Sequence, residues 1–208
     1  MTQRRPCFRY LPDRSKFILG ATSPWMLVAS CFSMAHANAM LASVLVCCFL
    51  FSALFWANPI HGSSIHILDK ISARLFVAVA LLFSRDAPLA FFFFPISVLL
   101  FCVVGHFAYL RKYFSLHLCS HLLFRFSAFW WALCAALGSP PSVLVFLRLS
   151  LLYLAHIFFC YALLSEAWVR SNFLLSYTLC ISLFIPFLFS TISHMIPLHH
   201  DAEPTASR

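Results

Sequence analysis

The stretch from Phe17 to Ala57 reads FILGATSPWMLVASCFSMAHANAMLASVLVCCFLFSALFWA and contains no Asp, Glu, Lys or Arg. As one helix rising 1.5 Å per residue it would run roughly 60 Å, about twice the thickness of a bilayer's hydrocarbon core. It therefore reads as two membrane crossings. The most polar point inside it is Ser33-Met34-Ala35-His36-Ala37-Asn38, which divides it into spans over residues 18–34 and 39–57. Gly20 and Pro24 interrupt the first of them.

Outward from this stretch the apolar pattern repeats at 66–84, 88–109, 115–136, 143–164 and 172–196. The breaks carry turn chemistry: Asn58-Pro59 with Gly62-Ser63-Ser64, Arg85-Asp86 before Pro88, Arg111-Lys112, Gly138-Ser139-Pro140-Pro141, and Arg170-Ser171-Asn172. Pro95 and Pro186 fall inside spans, where kinks are expected. The expected fold is an all-α polytopic transmembrane bundle of about seven spans over residues 17–196. A basic arm precedes it at 1–16, and a polar, disordered tail follows at 197–208. Six spans result if 17–57 crosses once. Of the 208 residues 62% are hydrophobic and 10% charged, against about 45–50% and 25% in soluble domains. A water-soluble fold cannot hide that much apolar surface.

The bases orient the bundle. Seven spans with a cytosolic N-terminus put Arg4, Arg5, Arg9, Arg14, Lys16, Lys70, Arg74, Arg111, Lys112 and Arg170 on the cytosolic side, with Arg85 and Arg208 opposite. This asymmetry fits the positive-inside rule and sends the C-terminus to the far side. Trp56, Trp168, Tyr109 and Tyr113 stand near span ends, where interfacial anchors belong. The formal charge of +8 suits anionic headgroups as partners, since no soluble basic face is present to bind nucleic acid. The 9 Cys form no C-x-x-C pair, and all but Cys7 lie in apolar runs as small hydrophobes. Gly is scarce, at 4 residues, while Phe, Leu, Ser and Cys are abundant. Pyrimidine-rich codons read in a non-genic frame give the same bias, against which the consistent loop charges argue.

Ionisable groups inside a membrane need a partner or a wet cavity. In the fifth span His117, His121 and Arg125 follow at i, i+4 and i+8, and Ala128, Ala132 and Cys134/Ala135 continue the line, so this stripe should face the bundle interior. In the third span His66 and Asp69 share a face that Ser63 or Ser64 can cap. Parity gathers His66, Asp69, His106, His117, His121 and Glu166 at one leaflet. Carboxylates and imidazoles there suggest a Zn²⁺ site on His66, Asp69, His117 and His121, with Glu166 as general base. The bland alternative makes them headgroup-level and capping residues. Arg125 and His156 fall at equal depth, so a hydrogen bond from the guanidinium to that imidazole or to a carbonyl is expected, while Arg148 snorkels to the far interface.

Ser52-Ala53-Leu54-Phe55-Trp56, His66-Ile67-Leu68-Asp69 and His117-Leu118-Cys119-Ser120-His121-Leu122-Leu123-Phe124-Arg125 together resemble the CREST superfamily of seven-span proteins, which holds alkaline ceramidases and progestin and adiponectin receptors. The resemblance implies zinc-dependent hydrolysis of lipid amides, with ligand or catalytic roles on Ser52, Asp69, His117 and His121. Trp56 stands where that pattern has a His, and the His pair comes in the fifth span rather than the last. The segments Phe55–Pro59 and Asp69–Arg74 are also similar to uncharacterised multi-span proteins of unicellular eukaryotes. Three functions follow as expectations. The first is a structural, assembly or trafficking component with no cofactor and with membrane lipids or other membrane proteins as partners. The others are a CREST-like zinc hydrolase and a transporter or channel, the last disfavoured because no pair of broken spans forms an inverted repeat.

Overall fold

A computed structural model describes residues 12–60 and 62–162, with Asn172 and Leu175. The arm before residue 12, Glu166, Trp168, Arg170 and most of the seventh expected span lie outside the described residues. The elements among the described residues are seven helices: α1 (Asp13–Ala21), α2 (Pro24–Ala35), α3 (Ala39–Ala57), α4 (Ser64–Ser84), α5 (Pro88–Leu110), α6 (Phe114–Leu137) and α7 (Val143–Ala162). Helix α1 begins inside the stretch read from sequence as a basic arm.

The first span is made of two helices. Pro24 has no N–H for the carbonyl of Gly20, which instead accepts from Ser23 N at 2.9 Å. The break stays within right-handed geometry, with Ser23 at φ −61°, ψ −34°. Ser15–Ala35 therefore still counts as one of five helical stretches among the described residues long and apolar enough to cross a membrane, with Ala39–Ala57, Ala90–Leu110, Phe114–Leu137 and Val143–Ala162. Helix α4 has the length, but Asp69, Lys70 and Arg74 crowd its first half. The described residues are thus all-helical in their regular structure, with several membrane-length apolar helices.

The turns explain where helices stop. After α2, Ala37 takes a left-handed φ of 56°. Asn38 N then bonds Ser33 O at 2.8 Å and Ala37 N bonds Met34 O at 3.0 Å, which is a Schellman ending. Asn38 Oδ1 next accepts from Leu41 N at 3.1 Å and starts α3. The same ending closes α5 on Lys112, φ 60°, with Tyr113 N on Ala108 O at 2.8 Å and Lys112 N on Tyr109 O at 3.0 Å. Ser63 caps α4 by accepting from His66 N at 3.1 Å, as its position predicts. Gly138, at φ 65°, ends α6.

Helix α6 is the centre. It packs on α5, α2, α4 and α1, and α3 pairs with α4 and α2. From Ser127 to Ala135 every residue of α6 is buried, with Phe129, Trp130 and Trp131 against Trp25, Phe76, Leu149 and Tyr153. Trp25 meets Phe129 and Tyr153 edge-on with centroids 5.0 and 5.2 Å apart, a geometry favoured by ring quadrupoles. Helices α5 and α7 turn Phe92, Phe93, Ile96, Leu99, Leu151 and Phe158 outward, each well exposed. Apolar surface on that scale belongs against lipid tails. Trp56 departs from expectation: it is 3% exposed and packs on Phe55 and His121 rather than anchoring at the interface.

Candidate polar site at the broken span

Arg125 projects from α6 toward the break between α1 and α2 and is buried. One of its terminal nitrogens donates to Thr22 Oγ1 at 3.0 Å and to Ser23 Oγ at 2.9 Å. The other donates to Ser52 Oγ of α3 at 2.8 Å. The hydroxyls pass the chain of bonds onward. Thr22 Oγ1 donates to Leu19 O at 3.0 Å and Ser23 Oγ to Ser52 Oγ at 3.4 Å. One guanidinium thus holds three elements, and its planar fork of donors suits it to several acceptors at once.

The expected bond between Arg125 and His156 is replaced by this arrangement. His156 Nδ1 accepts from Trp25 Nε1 at 3.1 Å, so the imidazole joins α7 to α2. Tyr153 adds a second tie, donating to Leu122 O at 2.9 Å. Arg148 is exposed on α7.

The stripe along α6 does face inward. His117 is 1% exposed, and its Nδ1 lies 2.7 Å from Gly105 O on α5. The helices are close here: a Cβ added at Gly105 would stand in ordinary contact, 3.4 Å from Ser120 Cβ and 3.5 Å from a ring carbon of His121. The rings of His117 and His121 sit 4.6 Å apart, and His121 meets Trp56 at 5.9 Å. His66 is buried, stacks on Phe55 at 5.0 Å, and accepts from Gly62 N through Nδ1 at 3.0 Å. Asp69 is half-buried, six residues beyond the Ser63 cap.

A cavity of about 310 Å³ lies between these helices, lined by Thr22, Ser23, Ser52, His66, Asp69, Lys70, His121 and Arg125 among apolar walls that include Phe55, Trp56, Phe76 and Phe124. Ser52, His66, Asp69 and His121 from the sequence reading thus meet at one place, with Arg125 at its base. His117 does not line the cavity, and Glu166 lies outside the described residues. Among the described residues no three His, Cys, Asp or Glu side chains are placed to hold a metal ion. Sequence reading missed Thr22 and Ser23; their signal was a pair of hydroxyls directly before a proline in an apolar span, where such groups satisfy freed backbone.

Comparison of the chain with protein-family models, curated proteins and solved structures gave no match.

Proposed function

We propose that the chain is a seven-span integral membrane protein, N-terminus cytosolic and C-terminus on the far side, serving as a structural or assembly component with no reaction of its own. One observation carries the functional reading: the buried polar side chains join helices. Arg125 binds α6 to the α1–α2 break and to α3, His156 accepts from α2, and His117 reaches α5. The span count adds α4 and residues 172–196 to the five apolar stretches, and the distribution of bases supports it. Cross-linking in the native membrane followed by purification tests the role. A membrane-protein partner recovered in constant proportion is the expected result. A chain that purifies alone and hydrolyses lipid amides in a chelator-sensitive way overturns it.

A CREST-like hydrolase is the second reading, favoured because Ser52, His66, Asp69 and His121 share one cavity. Metal analysis of the detergent-purified chain separates the two. The first reading expects no stoichiometric zinc, whereas the second requires zinc that an Asp69→Ala variant loses.

A further inference from the structure

A second cavity, also of about 310 Å³, lies between the start of α5, the end of α6 and the start of α7. It shares no described lining residue with the cavity at the broken span. Four aromatic rings line it, those of Phe93, Phe94, Trp130 and Phe146. Ala90 and Cys134 are buried and pack with Phe94, while Phe93 and Phe146 are exposed, so the cavity has an apolar floor and a mouth toward lipid. Among the described residues that line it none is charged.

One polar atom on this lining is out of place. Trp130 is 1% exposed, and its Nε1 is buried with no hydrogen-bond partner, whereas the indoles of Trp25 and Trp131 donate to His156 and Ser84. A buried N–H left unpaired is costly, and native structures keep few of them. Ser150 Oγ is a second such atom. Trp130 stands seven residues before the end of α6 and Ser150 seven after the start of α7, so each lies about 10 Å from the turn that joins them. Helix α6, with 24 residues, runs about 36 Å against a hydrocarbon core of ~30 Å. The unpaired donor is thus inside the hydrocarbon, where water does not satisfy it.

We propose that this cavity binds a neutral quinonoid lipid, with one ring carbonyl accepting from Trp130 Nε1, the flat ring among the four aromatic side chains, and the apolar tail leaving past Phe93 into the bilayer. Aromatic side chains favour offset or edge-on contact with such a ring. The size fits, since an apolar cavity of about 150 Å³ holds benzene, and the further volume here leaves room for ring substituents and the first carbons of a tail. A fatty acid or phospholipid would bring a charge that no described lining residue answers.

The full chain in a neutral detergent is titrated with a decyl-substituted benzoquinone and, in parallel, with dodecane and with cholesterol. Tm is the main readout, because a ligand held by the folded state raises it with a concentration dependence set by its affinity. Quenching of Trp fluorescence is the second. The quinone is expected to raise Tm saturably and to quench part of the emission, and the other two to leave Tm unchanged. Trp130→Phe keeps an aromatic ring but removes the N–H, and should weaken binding about fivefold, the scale of one neutral hydrogen bond. Val143→Trp adds bulk at an exposed position of the lining and should abolish the Tm response in a chain that still folds, so the site is tested even where Trp130→Phe does not fold. Absence of a saturable response overturns the proposal, as does an equal response to dodecane or cholesterol. So does a quinone affinity that either folded variant leaves unchanged.

Discussion

Arg125 and Ser52 show how much one side chain can hold in an apolar bundle. Interhelical hydrogen bonds within membranes contribute roughly 0.6 kcal/mol on average and about 1.7 at most. Ser52→Ala removes one acceptor and is expected to cost about that much in thermal unfolding in detergent. Arg125→Leu loses all three at once and should destabilise more than Ser52→Ala. Arg125→Lys should fall between them, because an ammonium keeps the charge but cannot fork to two elements. If Arg125→Leu unfolds no sooner than Ser52→Ala, the guanidinium is not the junction. The inward face of Arg125 was legible from its spacing after His117 and His121. Its partners were not, since Thr22 and Ser23 stand 103 and 102 residues away in sequence, and which of several hydroxyls a guanidinium meets depends on how helices cross.

At the scale of the element, boundaries were the most legible part. Apolar runs bounded by Asn-Pro, Gly-Ser and Arg-Asp gave helices ending within a few residues of the expected ones, because turn chemistry is local. The endings themselves hold something the sequence hides. Ala37 and Lys112 occupy left-handed positions that usually take glycine, and the cost to an L-residue is roughly 1–2 kcal/mol. Ala37→Gly and Lys112→Gly should each stabilise the chain by about 0.5–1 kcal/mol net of the entropy glycine adds to the unfolded state, visible as a higher Tm. Where α5 and α6 meet, Gly105→Ala should be nearly neutral, its Cβ meeting Ser120 Cβ at 3.4 Å. Gly105→Leu should cost about 1–3 kcal/mol by forcing the helices apart. Trp56 misled for the opposite reason: a Trp at a span's end reads as an anchor, and only the packing of α3 on α4 and α6 turns it inward.

For the whole molecule, burial inverts the ranking that hydropathy gives. The broken first span and α6 are the two least apolar of the five membrane-length stretches, yet 78% and 61% of their apolar windows are buried, against 33%, 17% and 22% for α3, α5 and α7. A span enclosed by other helices can carry hydroxyls, imidazoles and a guanidinium, whereas one facing lipid cannot. The features that make residues 18–34 a marginal span in sequence are thus those of an interior helix. Glycosylation acceptors inserted at 36–38, 86–87 and 139–141 should be modified in the seven-span topology, and those at 59–62 and 111–112 should not. Modification of both sets, or of the second alone, would reject it. Identical inward polar residues in a sequence do not state which helix surrounds them, so the order of layers had to come from the structure.

The junction at Thr22 and Ser23 also sets a schedule for biogenesis. The segment holding Thr22 and Ser23 finds its guanidinium only when residue 125 has been made, 103 and 102 residues later, and at about 5–20 residues per second that is a wait of roughly 5–20 s. Trp25 waits longer, for His156, which lies 131 residues downstream. Through that interval a proline-broken, hydroxyl-bearing helix stands in the insertion machinery without the partners that complete it. Nascent chains released before α6 emerges would therefore expose this defect to quality-control proteases, and the α1–α2 segment would settle only after α6 and α7 had followed it.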